Sequence, residues 1–254
     1  MFDLHCHILH GLDDGAVDLD TALQMLIMAR KHGATAIVAT PHVMEGNPPL
    51  RWAEILAGCE QLQNAAADLG LDIRIYPGAE VAVSMELLKE FIAPGPYCIN
   101  GGKYMLVEPP LMEIPDFVDD FLFRLQSRGI IPIVAHPERH PVLARNPEIL
   151  LDWIRRGVLT QITGASLTGK MGEQAQRMAK LFLLNRMVHV IGSDAHGIKF
   201  RRPKLDEAAV WIRELMGEEM VKKILFENPQ FITRGDKLNV PEVDRIVYPK
   251  KLFR

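Results

Sequence analysis

The sequence predicts an α/β fold, a distorted seven-stranded (β/α)7 barrel of the TIM type. Short apolar runs recur along the chain, and amphipathic stretches of helical period lie between them. Runs such as AIVA, IPIVA and VHVI are almost continuously apolar, which is typical of parallel strands covered on both faces. Barrels of this kind reach 254 residues as one unit, so we expect a single barrel domain over 1–254.

Seven strands are predicted from the apolar, β-branched runs that Gly, Pro or polar residues interrupt. They cover 2–4, 35–39, 73–77, 104–108, 131–136, 159–163 and 188–194.

Helices are predicted between these strands. In the first, Asp18 or Asp20 can cap the N-terminus and Gly33 can end the helix. The predicted helices cover 18–33, 51–70, 115–129, 147–157 and 173–185. An open, doubly wound sheet is the alternative, but the first strand-to-helix turn lacks the glycine-rich loops of nucleotide-binding sheets.

Composition excludes several classes of protein. The formal net charge of −3 gives no electrostatic footprint for nucleic acid. No apolar run approaches the ~20 residues that span a membrane, and no secretory signal is evident, so we expect a cytoplasmic protein that is not membrane-embedded. The three cysteines form no disulfide framework. A cysteine phosphatase would need Arg six positions after its Cys, where this chain has Leu12, Ala65 and Tyr104.

Metal-binding residue types lie at or just after six of the seven predicted strands. The C-terminal ends of barrel strands are where active sites are built. The candidate ligands are His5, His7, His42, Glu80, Glu108, His136, Asp194 and His196.

His5 and His7 are two residues apart and so face the same side of a strand, where they can hold one ion together. Imidazole and carboxylate ligands suit Mn, Fe or Zn. The set exceeds what one ion needs, and it predicts two or three divalent ions that activate a water molecule. By contrast, His32 is expected at a helix end and His189 in the core, with His10 and His140 in loops.

Basic side chains near the same strand ends predict a phosphoester substrate. Arg139 follows His136 by three residues, and Arg201 and Arg202 follow His196. A guanidinium fork matches phosphate oxygens. Either Arg201 or Arg202 can supply the second fork, and the rest of the basic run 199–204 is expected to be a solvated loop.

The motifs DLHCHILHGLDDG, ATPH, PGAEV, LVEPP, PIVAHPER and VIGSDAH resemble the polymerase-and-histidinol-phosphatase superfamily. Within it, they are most similar to the metal-dependent protein-tyrosine phosphatases of bacterial capsule biosynthesis. The resemblance covers essentially the whole chain. It implies a trinuclear site, often loaded with manganese, and a partner in the phosphotyrosine-bearing C-terminal tail of a tyrosine autokinase that controls polysaccharide export.

The resemblance also implies roles for individual residues. Arg139 and Arg201 would bind phosphate, and Asp14 rather than Asp13 would be a ligand because it directly precedes the glycine. The implied metal sets are His5, His7, Glu80 and Asp194 for one ion; Glu80, Glu108 and His136 for a second; and Asp14, His42 and His196 for a third.

The chain departs from the family pattern at His140, where an aromatic residue is usual, and at Arg202, which replaces the first proline of Arg-Pro-Pro. Both changes concern substrate recognition. Three alternatives therefore stay open: a phosphatase of a small phosphoester such as histidinol phosphate, a metal-dependent amidohydrolase, and a metal-binding protein without activity. An oligomer is also possible. If the phosphatase hypothesis holds, His136→Ala abolishes turnover without unfolding the chain.

Overall fold

The computed structural model describes residues 1–46, 50–240 and 242–249. This part of the chain contains nine strands, with helices between most of them. They are β1 Phe2–Cys6, β2 Ala36–Ala39, β3 His42–Val43, β4 Arg74–Pro77, β5 Glu80–Ala82, β6 Tyr104–Glu108, β7 Ile131–Ala135, β8 Leu159–Thr163 and β9 Val190–Gly192. The expected range 1–254 ends with residues 250–254, which lie outside the described residues.

All the strand pairs are parallel, and they form two curled sheets. The first has the order β1-β2-β4 and the second the order β3-β5-β6-β7-β8-β9. β1 and β9 lie close to each other. Cys6 forms an isolated parallel β-bridge with Ala195, and the Asp194 N–H donates to the carbonyl of His5 at 2.8 Å. The α/β class with parallel strands is thereby confirmed.

Nine strands are observed instead of the seven predicted, because the chain breaks after two predicted strands, 35–39 and 73–77, and a short strand, β3 or β5, follows each break. Between β2 and β3 stands Pro41, which has no N–H to continue the ladder. Between β4 and β5 stands Gly78, where a Cβ would lie 2.7 Å from Cγ1 of Val38. Each break redirects the chain just before a candidate ligand, His42 in β3 and Glu80 in β5.

Helices cover the outer faces of the sheets. The α-helices of the described residues are α1 Leu19–Lys31, α2 Trp52–Asp68, α3 Phe117–Ser127, α4 Pro141–Arg145, α5 Glu148–Arg155, α6 Gly164–Leu167, α7 Glu173–Leu184, α8 Asp206–Met216, α9 Glu218–Lys222 and α10 Asn228–Arg234. Short 3-10 turns lie at Leu87–Glu90, Ile99–Gly101 and Pro137–Arg139, and a π-helical turn lies at Lys223–Glu227. None of these helices is long and apolar enough to cross a membrane.

The predicted helices are observed with ends shifted by at most two residues. Asp18 caps α1 by accepting from the Thr21 N–H at 2.8 Å, and Gly33 follows the helix with φ of 85°. The helices between residues 206 and 234 were not predicted.

Alternate residues of the strands pack on opposite sides of the sheets. One set packs under the helices, for example Ile37, Val107 and Ile191. Their strand neighbours form a second cluster, in which the strands contribute Leu4, Val38, Leu106, Ile133, Leu159 and Val190. Because both faces are buried, the strands are fixed in register, and their C-terminal ends form a rigid platform.

Candidate metal centre

Glu80 lies at the centre of a cluster of histidines and carboxylates at the strand ends. It begins β5 and only 1% of its surface is exposed. Its Oε2 lies 3.1 Å from Nε2 of His5 and 3.1 Å from Nε2 of His7. Its Oε1 lies 2.8 Å from Nε2 of His136. Its Oε2 also lies 3.3 Å from Nδ1 of His42. One buried carboxylate thus lies against four imidazoles, the arrangement needed for a ligand shared between ions.

The imidazoles of His5 and His7 are each held at Nδ1. His5 Nδ1 donates to Oε1 of Gln161 at 3.0 Å, since the amide nitrogen of Gln161 itself donates to the carbonyl of Ile162. His7 Nδ1 donates to Oδ2 of Asp13 at 2.7 Å. In the neutral rings, both Nε2 lone pairs then point into the cluster, where the Nε2 atoms are 3.0 Å apart. A cation beside them would satisfy both lone pairs.

Burial and nearby charges act in opposite directions on the pKa values here. Burial lowers the pKa of His5, but Glu80 and Asp194 outweigh it and raise that pKa. Burial would also lower the pKa of His7, but hydrogen bonds to Asp13 and Asp194 raise it well above its usual range. Burial would raise the pKa of Glu80, yet His5 helps hold it well below its usual range. A divalent cation that binds here must displace the protons of the histidines.

A second group of ligand atoms adjoins His7. Nε2 of His42 lies 3.7 Å and Nε2 of His196 lies 3.3 Å from Oδ1 of Asp14. Within the described residues, Nδ1 of His42 and Nε2 of His196 are buried, and their close contacts with Glu80 and Asp14 do not have hydrogen-bond geometry. Burial lowers the pKa of His42, and burial with the charge of His7 lowers that of His196 to about 4. Both rings are neutral at pH 7, as a metal ligand must be.

The third group joins Glu108 to the centre. Glu108 ends β6, and its Oε1 lies 3.6 Å from Nε2 of His136. Burial and the charge of Glu80 raise the pKa of Glu108 to about 7. Burial and the charge of Arg139 lower the pKa of His136 to about 4. Ligand atoms of Glu108, Glu80 and His42 also lie within 4.8 Å of one another, so the groups overlap at Glu80.

The structure brings together every residue that the sequence predicts as a metal ligand. These residues are His5, His7, Asp14, His42, Glu80, Glu108, His136, Asp194 and His196. The predicted strand boundaries differ from the observed ones at five of them. His5 lies inside β1, which runs two residues further than predicted, and His42 and Glu80 begin the short strands β3 and β5, which were not predicted. His136 and Asp194, predicted inside strands, follow β7 and β9.

Several residues of the site have left-handed backbone conformations. φ is 33° at His136, 53° at Asp194 and 45° at Arg201. Such conformations cost about 1–3 kcal/mol each in a non-glycine residue and persist only where surrounding contacts impose them. The site is thus held in a geometry that the local sequence alone would not favour.

Two arginines converge on Asp194. Nη1 of Arg139 lies 2.7 Å from Oδ2 of Asp194. Arg201 donates from Nη2 to Oδ1 of Asp194 and from Nε to its carbonyl, the latter at 3.1 Å. Arg202 donates from Nε to the carbonyl of Lys199 at 2.8 Å instead. Of the two arginines that the sequence left open, Arg201 is the one at the cluster.

Two other histidines have structural partners. Nδ1 of His32 lies 2.7 Å from Oδ2 of Asp206, which ties the end of α1 to the start of α8. His189 is buried, and its Nδ1 accepts from the Thr160 N–H at 3.0 Å. The predictions that His32 lies at a helix end and His189 in the core are confirmed.

His140 joins the two loops that flank Glu108 and His136. Its Nδ1 accepts from the Val142 N–H at 3.2 Å, and its Nε2 donates to the carbonyl of Pro110 at 2.7 Å. His140 is buried, so its role in this structure is to fix these loops.

Sequence reasoning missed the residues that orient the ligands. Asp13 was set aside in favour of Asp14, yet it accepts from His7 and from the backbone N–H groups of Gly15 and His42. Gln161 was not singled out at all. The available signal was a polar side chain inside an apolar strand, LTQIT, because such a buried amide needs a partner.

The sequence matches a profile of the family described as capsular polysaccharide synthesis, CpsB/CapC, over residues 1–234. The tyrosine-protein phosphatase YwqE of Bacillus subtilis is 30% identical over 94% of this chain and 93% of its own length. The tyrosine-protein phosphatase CpsB of Streptococcus pneumoniae is 26% identical over 91% of this chain and 98% of its own.

Solved structures are also similar. One, from a study of YwqE of Bacillus subtilis and CpsB of Streptococcus pneumoniae as unique metal-dependent tyrosine phosphatases, superposes with a TM-score of 0.90 at 29% identity. It covers 98% of this chain and 100% of that one. The lactonase Lmo2620 of Listeria monocytogenes superposes with a TM-score of 0.59 at 14% identity, over 93% of this chain and 95% of its own. That second likeness concerns the fold alone.

Proposed function

The chain belongs to the CpsB/CapC family of capsular polysaccharide synthesis proteins, and on this basis we propose that it is a metal-dependent protein-tyrosine phosphatase. The observation that carries the proposal is the pair His5 and His7, whose Nε2 atoms face Glu80 and Asp194 in a buried cluster. Relatives named as tyrosine-protein phosphatases cover almost the whole chain.

The proposed ligand sets follow the three groups of atoms. His5, His7, Glu80 and Asp194 would hold one ion. Glu80, Glu108 and His136 would hold a second. Asp14, His42 and His196 would hold a third. The hard and borderline donors of these sets suit Mn²⁺, with Fe or Zn as the other candidates. When bound, the ions would supply a nucleophile from water and neutralise negative charge at phosphorus.

The arginines would bind the phosphoryl group. Arg139 and Arg201 are each held by Asp194 and are partly exposed, with 21% and 35% of their side chains accessible. Since a guanidinium has five N–H donors, each arginine retains donors for the phosphate oxygens. These donors would stabilise the charge that builds on the equatorial oxygens during transfer.

An apolar cavity beside the metal centre favours an aromatic ester as the substrate. Its volume is about 150 Å³, and Pro109, Leu111 and Leu143 line it next to His136 and Arg139. A tyrosyl ring can bury apolar surface there while its phosphate reaches the arginines. A polar amino-alcohol phosphate such as histidinol phosphate would bury less apolar surface against these lining residues.

The remaining expectations belong to the same proposal. The two curled sheets would be one distorted barrel of seven strand units, with β2–β3 and β4–β5 each counted as one interrupted strand, in a single domain. The substrate would be the phosphorylated C-terminal tail of a bacterial tyrosine autokinase, reached from the cytoplasm.

The test compares two substrates on one preparation. Phosphate release is measured from a phosphotyrosyl peptide and from histidinol phosphate, each with Mn²⁺ added. A kcat/KM higher for the peptide supports the proposal. A higher value for histidinol phosphate would assign the site to small phosphoesters, and release from neither compound would overturn both.

A further inference from the structure

A basic groove opens beside the metal centre. It is a cavity of about 560 Å³ between α6, the start of α8 and the loop 199–204. Five of its lining residues are cationic and one, Glu207, is acidic. The cationic residues are Lys170, Lys199, Arg201, Arg202 and Lys204.

Three of the five cationic side chains make no ion pair within the part of the chain that the structure describes, although Lys204 lies near enough to Asp206 to lower the pKa of that carboxyl. Lys170 pairs with Glu207 at 2.6 Å. Lys199, Arg202 and Lys204 make no ion pair with any carboxylate of the described residues. Like charges gathered in one groove repel one another, and an anionic ligand would relieve that repulsion.

Hydrogen bonds within the loop hold the groove in shape. The His196 N–H donates to the carbonyl of Arg201 at 2.9 Å, and the Lys204 N–H donates to the carbonyl of Arg202 at 2.8 Å. Arg202 also donates from Nε to the carbonyl of Lys199. The cations are therefore displayed on a defined backbone, which lowers the entropic cost of binding a ligand.

Arg201 connects the groove to the metal centre, because it lines the cavity and contacts Asp194. A peptide whose phosphotyrosine occupies the centre would lay its neighbouring residues in the groove. At the rim stands Phe200, which is 86% exposed and offers an apolar contact to such a chain.

We propose that this groove binds acidic residues flanking the phosphotyrosine and so sets the peptide specificity of the phosphatase. The proposal rests on the proposed function. The concave shape of the groove favours a peptide chain over the flat surface of an anionic membrane. The kinetic parameter affected would then be KM. Lys199, Lys204 and Arg202 would contact the flanking residues of the peptide and not the phosphoryl group that reacts.

The test uses two phosphotyrosyl peptides that differ only in flanking charge, with Glu in one and Gln in the other at three positions on each side. We expect the native protein to have the higher kcat/KM for the Glu peptide, through a lower KM. In the double variant Lys199→Gln/Lys204→Gln, this preference falls roughly 3- to 10-fold, the range expected for losing two exposed ionic contacts.

The matched control is Lys222→Gln/Lys237→Gln, which removes the same charge from exposed positions outside the groove. It should keep the preference of the native protein. Added salt should weaken that preference in the native protein, because exposed charges are screened.

Three outcomes would overturn the proposal: a native protein without preference, a groove variant that keeps it, or a control that loses it equally. A groove variant that loses binding to phosphatidylglycerol vesicles but keeps the peptide preference would assign the groove to a membrane surface instead. If neither peptide is hydrolysed by the native protein, the proposed function itself fails, which is a distinguishable result.

Discussion

At the scale of single residues, Asp13 and Asp14 are neighbours with different tasks. Asp14 is 66% exposed in its side chain and faces His42 and His196. Asp13 is mostly buried and lies behind His7, where its hydrogen bonds lower its pKa against the effect of burial. The first would contact an ion directly, whereas the second orients a ligand.

Asp13→Asn tests that division. The variant weakens the acceptor for the Nδ1–H of His7. The His7 ring is then held less firmly, and its Nε2 becomes less basic. We expect metal affinity to fall about 10- to 100-fold, the usual effect of losing an orienting partner. Titration with Mn²⁺ under competition from a chelator measures it. Unchanged affinity in Asp13→Asn would remove the orienting role.

Arg139→Lys tests phosphate binding. Lysine keeps the charge but loses the planar fork, so kcat/KM on a phosphotyrosyl peptide should fall about 100-fold or more. Bound metal, counted on the same sample, should stay at the native level. The control is Arg156→Lys. In the native protein, Arg156 pairs with Asp119 at 2.6 Å. Equal losses in both variants would contradict the assignment.

The convergence of the candidate ligands could be predicted from the sequence, because imidazoles and carboxylates after successive strands converge by topology. Their role as ligands stays a prediction. Their partners could not be predicted so easily. Gln161 reaches His5 across 156 residues of sequence, and no local pattern records that contact. The choice between Arg201 and Arg202 likewise depended on a left-handed turn that sequence does not reveal.

At the scale of elements, Glu138 anchors the 3-10 turn that carries His136 and Arg139. It is fully buried, and its Oε1 accepts from the Thr163 N–H at 2.9 Å and from Oγ–H of Ser166 at 2.7 Å. The turn is thereby fastened to the end of β8 and the start of α6.

Glu138→Ala should lower the free energy of unfolding by about 2–4 kcal/mol, since it leaves two buried donors without an acceptor. Glu138→Gln keeps an acceptor oxygen and should lose clearly less. Urea unfolding in the presence of a chelator compares the two. Equal losses would mean that the acceptor is not what matters.

His189 makes the stability of β8 and β9 dependent on pH. Burial, with a smaller effect of Lys223, lowers its pKa to about 3 from an ordinary 6.5. The unfolded chain therefore binds one more proton than the folded chain between these values. The stabilisation is full above pH 6.5 and is lost as the pH falls, by up to about 1.4 kcal/mol per pH unit.

His189→Asn keeps an acceptor for the Thr160 N–H but cannot take up a proton. Urea unfolding of the metal-free protein at several pH values between 4 and 6.5 should give a shallower pH slope for the variant, by about one proton. Other buried histidines contribute equally to both proteins. Identical slopes would exclude His189 as the source.

The alternation of apolar runs and amphipathic stretches predicted most of the strands and helices, because each type of element has its own hydrophobic periodicity in the sequence. The short strands β3 and β5 were not predicted. They follow breaks at Pro41, which lacks an N–H donor, and at Gly78, which approaches Val38 closely. The helices after residue 206 were missed, although α8 begins with Asp206 and Glu207 in its first turn.

At the scale of the whole molecule, the candidate metal centre joins distant parts of the chain. Its candidate ligands come from six segments between His5 and His196, and they meet where β1 approaches β9. An ion bound by several of these segments would stabilise the folded chain over the unfolded one.

Chelation should therefore lower the melting temperature. At a free metal concentration of 100 times Kd, binding at one site contributes about 2.7 kcal/mol, or about 5–10 °C for a chain of this size. Glu80→Gln removes the shared carboxylate and should abolish most of this shift. A native protein that melts at one temperature with Mn²⁺ and with chelator would count against a metal centre.

The most direct measurement counts bound metal and phosphate release on one sample, before chelation, after it, and after Mn²⁺ is restored. We predict two or three ions per chain and release of phosphate from a phosphotyrosyl peptide that disappears with the metal and returns with it. His136→Ala, folded by circular dichroism, should release none. Undiminished release from the metal-free protein, or from His136→Ala, would contradict the account.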